Sequence, residues 1–157
     1  MTLWLVLLLR RRLVGPVALA VLLCAVGGCG STGISPAPLQ TSIARAFANL
    51  YVQQQVTMGN PRPTLASLQS RAHCQKGTRA TAQTGPGNDW VCRVTFLVAG
   101  PATPVVARYN VNVHTDGCYA ADGDGPASVN GSRTITGAHY EQVQNPLWLI
   151  NGCFPLG

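Results

Sequence analysis

Residues 90–114, WVCRVTFLVAGPATPVVARYNVNVH, decide the fold class. In the first half Trp90, Cys92, Val94, Phe96 and Val98 alternate with other residues. In the second half Val105, Ala107, Tyr109, Val111 and Val113 fall on one face, with Arg108, Asn110, Asn112 and His114 on the other. Side chains of a strand point alternately to opposite faces, so this pattern predicts two antiparallel strands with one wet side. Gly100 to Pro104 joins them as a loop, and Thr115-Asp116-Gly117 is a tight-turn signal leading into a third strand at Cys118 to Ala121. Asp122 to Asn130 reads as a Gly/Asp/Pro loop, with further strands expected near Ser132 to Thr136 and Leu147 to Ile150.

Upstream, Ile43, Phe47, Leu50 and Tyr51 fall at i, i+4, i+7 and i+8, the stripe of a helix packed on a sheet. Thr41 or Ser42 is the expected cap, the helix runs to Met58, and Gly59 with Pro61 stops it. Thr64 to His73 is expected as a second short helix with Leu65 and Leu68 inward, followed by a loop from Gly77 to Asp89. The sum is an α+β domain over residues 39–157: an amino-terminal helix on a twisted antiparallel sheet of four to five strands. Its element order resembles the cystatin-like and nuclear-transport-factor-like folds of small exported proteins. That likeness implies no function.

The amino terminus carries an address. Residues 10–29, RRRLVGPVALAVLLCAVGGC, place three arginines before an apolar stretch and then small residues, the layout of a secretory signal. The apolar run from Leu13 to Val26 is shorter than the roughly 20 residues that span a bilayer as a helix. Its end, Val26-Gly27-Gly28-Cys29, resembles a bacterial lipobox. The resemblance implies a signal peptide over residues 1–28, cleavage between Gly28 and Cys29, and diacyl lipid on the Cys29 thiol. Two acyl chains hold a protein on a membrane far better than one. Cys24 lacks the small residue such a site needs before it. Residues 29–38 are then the lipidated cysteine and a flexible Gly/Ser/Pro tether. The implied location is the extracytoplasmic face of the cell membrane. Residues 1–9, MTLWLVLLL, lie oddly ahead of the arginines and are expected to reflect a start codon assigned too early. Ten Arg against one Lys, with abundant Ala, Gly and Pro, point to a GC-rich bacterial genome of the actinobacterial kind.

The remaining cysteines are Cys74, Cys92, Cys118 and Cys153, an even number in an exported domain, which reads as two disulfides. Of the three connectivities we expect Cys74–Cys92, closing the loop before the Trp90 strand, and Cys118–Cys153, pinning the carboxy-terminal segment. The wide spacing without a CxxC pair speaks against zinc. Beyond Arg10 to Arg12, eight scattered basic residues face five acids, a net of +3 with no basic run, so nucleic acid is not an expected partner.

Chemistry is sparse. Four of the five acids sit beside turn formers, and Asp122-Gly123-Asp124-Gly125 lacks the further ligands of a calcium loop. His73, His114 and His139 share no metal-ligand spacing, and no GxSxG elbow marks a nucleophile. No catalytic residue, metal or cofactor is therefore expected. Tyr140, Trp148, Asp122 and Asp124 are the candidate binding surface. The expected function is a lipid-anchored, non-enzymatic binding module of the cell envelope, meeting membrane lipid through Cys29 and an unidentified envelope protein or ligand. An inhibitor of exported hydrolases, presenting the loop from Asp122 to Asn130, is one alternative, and an envelope hydrolase is the other.

Overall fold

The computed structural model describes residues 33–78, 80–98 and 103–156. The expected signal peptide, its cleavage site at Gly28, the lipidated Cys29 and the first tether residues lie outside them. No helix among the described residues is long and apolar enough to cross a membrane.

Helix α1 spans Pro36–Thr57, starting five residues before the expected cap at Thr41. Two prolines in its first turn explain the early start. The first N–H groups of a helix have no intrahelical partner, so Pro36 and Pro38 lose nothing there, and the fixed φ of proline suits a first turn. Ile34 precedes the Ser35 cap and Leu39 follows it by four, the spacing of a hydrophobic staple. Both are buried in one cluster, at 1% and 0% exposure. Residues 34–38, expected to belong to the tether, are therefore part of the folded domain. Thr41 and Ser42 stand inside the helix, where the Thr41 hydroxyl donates to the Ala37 carbonyl at 3.1 Å.

The segment expected as a second helix is one turn only, α2, Leu65–Leu68. Thr64 caps it, its hydroxyl accepting the Ser67 N–H at 3.1 Å. Gln69 then takes a left-handed conformation, φ 46°, which ends the turn. Leu68 is buried as expected, whereas Leu65 is 53% exposed. Arg71, Ala72 and His73, expected to be helical, instead belong to strand β1, Arg71–Lys76. Pairing with the next strand outweighs the weak helical pattern of so short a stretch.

The remaining strands are β2 (Gly87–Leu97), β3 (Pro104–Val113), β4 (Cys118–Gly123), β5 (Thr134–Thr136), β6 (Gln142–Gln144) and β7 (Leu149–Cys153). Five form an antiparallel sheet in the order β1-β2-β3-β4-β7, while β5 and β6 make a small separate hairpin, of which β6 was not expected. The alternation in residues 90–113 is obeyed: Trp90, Cys92, Val94, Phe96, Ala107, Tyr109, Val111 and Val113 are all buried beneath α1. Phe47 of α1 anchors this layer, its ring 4.7 Å from Phe96 and 6.4 Å from Tyr109, centroid to centroid. Each such large side chain contributes about 1.5–3 kcal/mol on burial. Helix α1 meets β1, β2 and β7, so both outer strands approach it.

Both expected disulfides form, Cys74–Cys92 and Cys118–Cys153, with Cα separations of 4.1 and 3.9 Å. Each joins residues directly opposite one another on neighbouring strands. The hydrogen bonds flanking the second, Phe154 N–H to the Gly117 carbonyl at 3.1 Å and Gly123 N–H to the Trp148 carbonyl at 2.8 Å, place Cys118 and Cys153 at a non-hydrogen-bonded pair. Side chains come closest at such pairs. The two bridges sit on opposite faces of the sheet. Cys74 and Cys92 are buried under α1 at 3% and 0% exposure. Cys153 is exposed on the open face.

Candidate functional site

The small hairpin is where local order and exposure coincide. Pairing of Thr134, Ile135 and Thr136 with Gln144, Val143 and Gln142 presents the turn 137–141, Gly-Ala-His-Tyr-Glu. Within it the Gly137 N–H donates to the Glu141 carbonyl at 2.8 Å, and the Tyr140 N–H donates to the Gly137 carbonyl at 3.0 Å. The Glu141 carboxylate turns back to accept the His139 N–H at 2.9 Å. It lies over Gly137, where any side chain would displace it. The Ala138 N–H donates to the Thr57 carbonyl at 2.9 Å, satisfying an end-of-helix carbonyl of α1 and fastening the turn to the domain.

Tyr140 stands on this ordered turn with φ 65°, in the left-handed region that bulky residues avoid. Its side chain is nonetheless 91% exposed, the most exposed large hydrophobic residue described. A left-handed non-glycine residue is strained by about 1–3 kcal/mol. A ring that stays in water in the folded chain gains no burial energy on folding.

The other expected surface residues are placed differently. Trp148 is half-buried, its backbone N–H donating to the Asn145 carbonyl at 3.0 Å. Asp122 lies exposed on β4 opposite Leu149 of β7. Asp124 pairs with Arg108 at 3.3 Å, an ion pair with both side chains nearly half exposed and so worth little. The segment following it leaves Pro126, Ala127 and Ser128 exposed and folds back at its end. The Pro126 carbonyl accepts the N–H groups of Val129, Asn130 and Gly131 at 2.9 to 3.0 Å, and Val129 and Asn130 are buried. Among the described residues no group of three or more His, Cys, Asp or Glu is placed to hold a metal. His73, His114 and His139 are exposed at three separate places, on β1, just after β3 and in the turn 137–141.

Beneath the hairpin lies a buried amide cluster that the sequence did not announce. Gln54 of α1 donates through Nε2 to the Val129 carbonyl at 2.7 Å and to Asn145 Oδ1 at 2.8 Å. Asn145 donates to the Val129 and Ser132 carbonyls, both at 2.9 Å. Gln54 and Asn145 are 0% and 1% exposed. Together they tie the loop carrying the hairpin to the helix. The signal for the turn was present: Gly137 and Glu141 stand between the alternating segments TIT and QVQ. No protein-family model, curated protein or solved structure matches this chain.

Proposed function

We propose that this chain is a lipid-anchored, non-enzymatic module of the bacterial cell envelope that engages a protein partner through Tyr140. The observation that carries this reading is a rigid turn holding a strained, 91% exposed tyrosine ring in water. Tyrosine is enriched among the few residues that dominate binding energy, and a pre-ordered side chain loses little freedom on docking. The lipobox-like segment ending at Cys29 supports the membrane address. The domain's two disulfides suit an oxidising compartment.

The inhibitor alternative keeps its logic but narrows its contact point. Val129 and Asn130 are buried while Pro126, Ala127 and Ser128 stay exposed, so an inhibitor of exported hydrolases would present those three residues or the turn 137–141. The hydrolase alternative has less support. His73 borders a cleft with Gln40, Gln75 and Gln83 that no carboxylate lines among the described residues.

The test is photo-crosslinking in intact cells from a probe at His139. We expect one dominant adduct, lost on Tyr140→Ala with Tm unchanged and kept in part by Tyr140→Phe, with membrane retention lost on Cys29→Ser. An affinity drop of about tenfold or more is the expected scale for such an anchor. Adducts indifferent to Tyr140→Ala would refute the binding reading, and unchanged retention of Cys29→Ser would refute the lipid anchor.

A further inference from the structure

The two outer edges of the main sheet are treated differently. On β1 the outward backbone groups are covered by side-chain amides: the Cys74 N–H donates to Gln40 Oε1 at 3.1 Å. The Lys76 N–H donates to Gln83 Oε1 at 2.8 Å, and Gln83 Nε2 returns a bond to the Lys76 carbonyl at 2.7 Å. Such covering is how proteins blunt an edge that would otherwise pair with another chain.

Strand β7 has no such cover. Its even-numbered residues bond to β4, as the Trp148 carbonyl and Phe154 N–H show. Leu149, Asn151 and Cys153 therefore direct their N–H and C=O groups outward. Among the described residues only the Cys153 carbonyl meets a partner, the Ser42 hydroxyl at 3.4 Å.

At the carboxy-terminal end of this edge, lined by Gly152 and Cys153 of β7, lies a groove of about 520 Å³ between β7 and α1. That volume lies in the range of natural ligand sites, about 300–1,000 Å³. Thr41, Arg45 and Asn49, spaced by four along α1, form its polar wall, and Tyr119 and Phe154 its aromatic side. The Ser42 and Tyr119 hydroxyls bond to each other at 3.0 Å across it. Glycine is required at residue 152, because a Cβ there would sit 2.6 Å from the Tyr119 hydroxyl. Among the described residues Arg45 is the one charged side chain lining the groove. It makes no ion pair among the described residues.

We infer that the open edge of β7 and the facing side of α1 form a docking groove for an extended peptide carrying a carboxylate, which adds beside β7 as a strand and pairs with Arg45. Strand addition supplies main-chain hydrogen bonds for affinity, and flanking side chains supply selectivity. Backbone donors and acceptors alternating along an edge match polypeptide and no other common ligand. The unpaired guanidinium selects the charge, since arginine binds carboxylates through two parallel bonds. A second copy of β7, Leu-Ile-Asn-Gly-Cys, brings no carboxylate of its own to Arg45. This site is separate from Tyr140, and either can fail without the other.

The probe is a pool of short random-sequence peptides free of Asp and Glu and ending in a free carboxylate, with the same pool amidated as control, offered to the detergent-solubilised full chain. We expect retention of the free-acid pool, weakened at least about tenfold by Arg45→Gln or by amidation, the scale of one charge-assisted contact. Hydrogen exchange should slow at the Leu149, Asn151 and Cys153 amides when peptide binds. Asn151→Pro, which removes an outward N–H and spares the ladder to β4, should weaken binding as well. Should that variant fold poorly, the exchange measurement decides alone. No retention at millimolar peptide, affinity unchanged in Arg45→Gln, or binding without protection of those amides overturns the inference. So does a peptide-free dimer that protects the same amides, which would make the second copy the occupant.

Discussion

At the residue scale, positions that look alike in the sequence carry unlike loads. Gln54 is one of three glutamines in a row within α1, yet it alone is fully buried. Its amide bridges the Val129 carbonyl and Asn145. Gln54→Ala leaves that carbonyl short of a bond and opens a void. We expect a loss of about 2–4 kcal/mol, read as a lower urea midpoint with unchanged slope. Gln53→Ala, one residue away and exposed, should change little. Tyr140 is the opposite case, since its contribution lies outside the domain. Truncating it should leave Tm alone and change only binding.

At the element scale the two disulfides should respond differently to reductant. Chain-entropy reasoning assigns about 3 kcal/mol to Cys74–Cys92, which spans 18 residues, and about 4 kcal/mol to Cys118–Cys153, which spans 35. Access reverses the order of vulnerability, because exchange needs a thiolate to reach a sulfur. With Cys153 exposed and the other pair beneath α1, mild reductant should open Cys118–Cys153 first. Alkylation and mass mapping should find Cys118 and Cys153 modified while Cys74 and Cys92 remain paired. Simultaneous loss of both bridges would contradict the assignment of one to each face.

At the scale of the whole molecule, the core holds three tyrosines that should make it sensitive to alkali. Burial raises the hydroxyl pKa of Tyr51, Tyr109 and Tyr119, opposed in part at Tyr109 by the Asn130 side chain and at Tyr119 by the Ser42 hydrogen bond. A raised folded-state pKa means that the unfolded chain loses its proton first. The stability these hydroxyls contribute is complete below the unfolded value near 10 and is lost as pH rises beyond it. Denaturant midpoints should thus fall above about pH 10, and Tyr51→Phe should reduce the slope. A midpoint flat to pH 12 would contradict this.

Much of the architecture was legible in the chain itself, because period-two alternation and local turn chemistry are properties of neighbouring residues. Trp90 to Val113 announced two strands and their buried faces. Asp116-Gly117 announced the turn, where Asp116 Oδ1 accepts the Cys118 N–H at 2.9 Å and Gly117 has φ 80°. Even the disulfide pairing followed from which segments needed closing. The early start of α1 is not legible, because Pro36 and Pro38 suit a tether as well as the first turn of a helix. Strand β1 is not legible because an edge strand is defined by its partner, and its own residues favour no single structure.

What tertiary structure alone decided is which surfaces remain unused. Composition and spacing determined a helix on an antiparallel sheet with two bridges, since burial and alternation act through near neighbours. That Tyr140 stands in water, that Gln54 lies in the core, and that β7 is open where β1 is covered depend on chain segments tens of residues apart. Those contacts form only when the sheet and α1 close on each other, and the sites they leave open are set at the same moment.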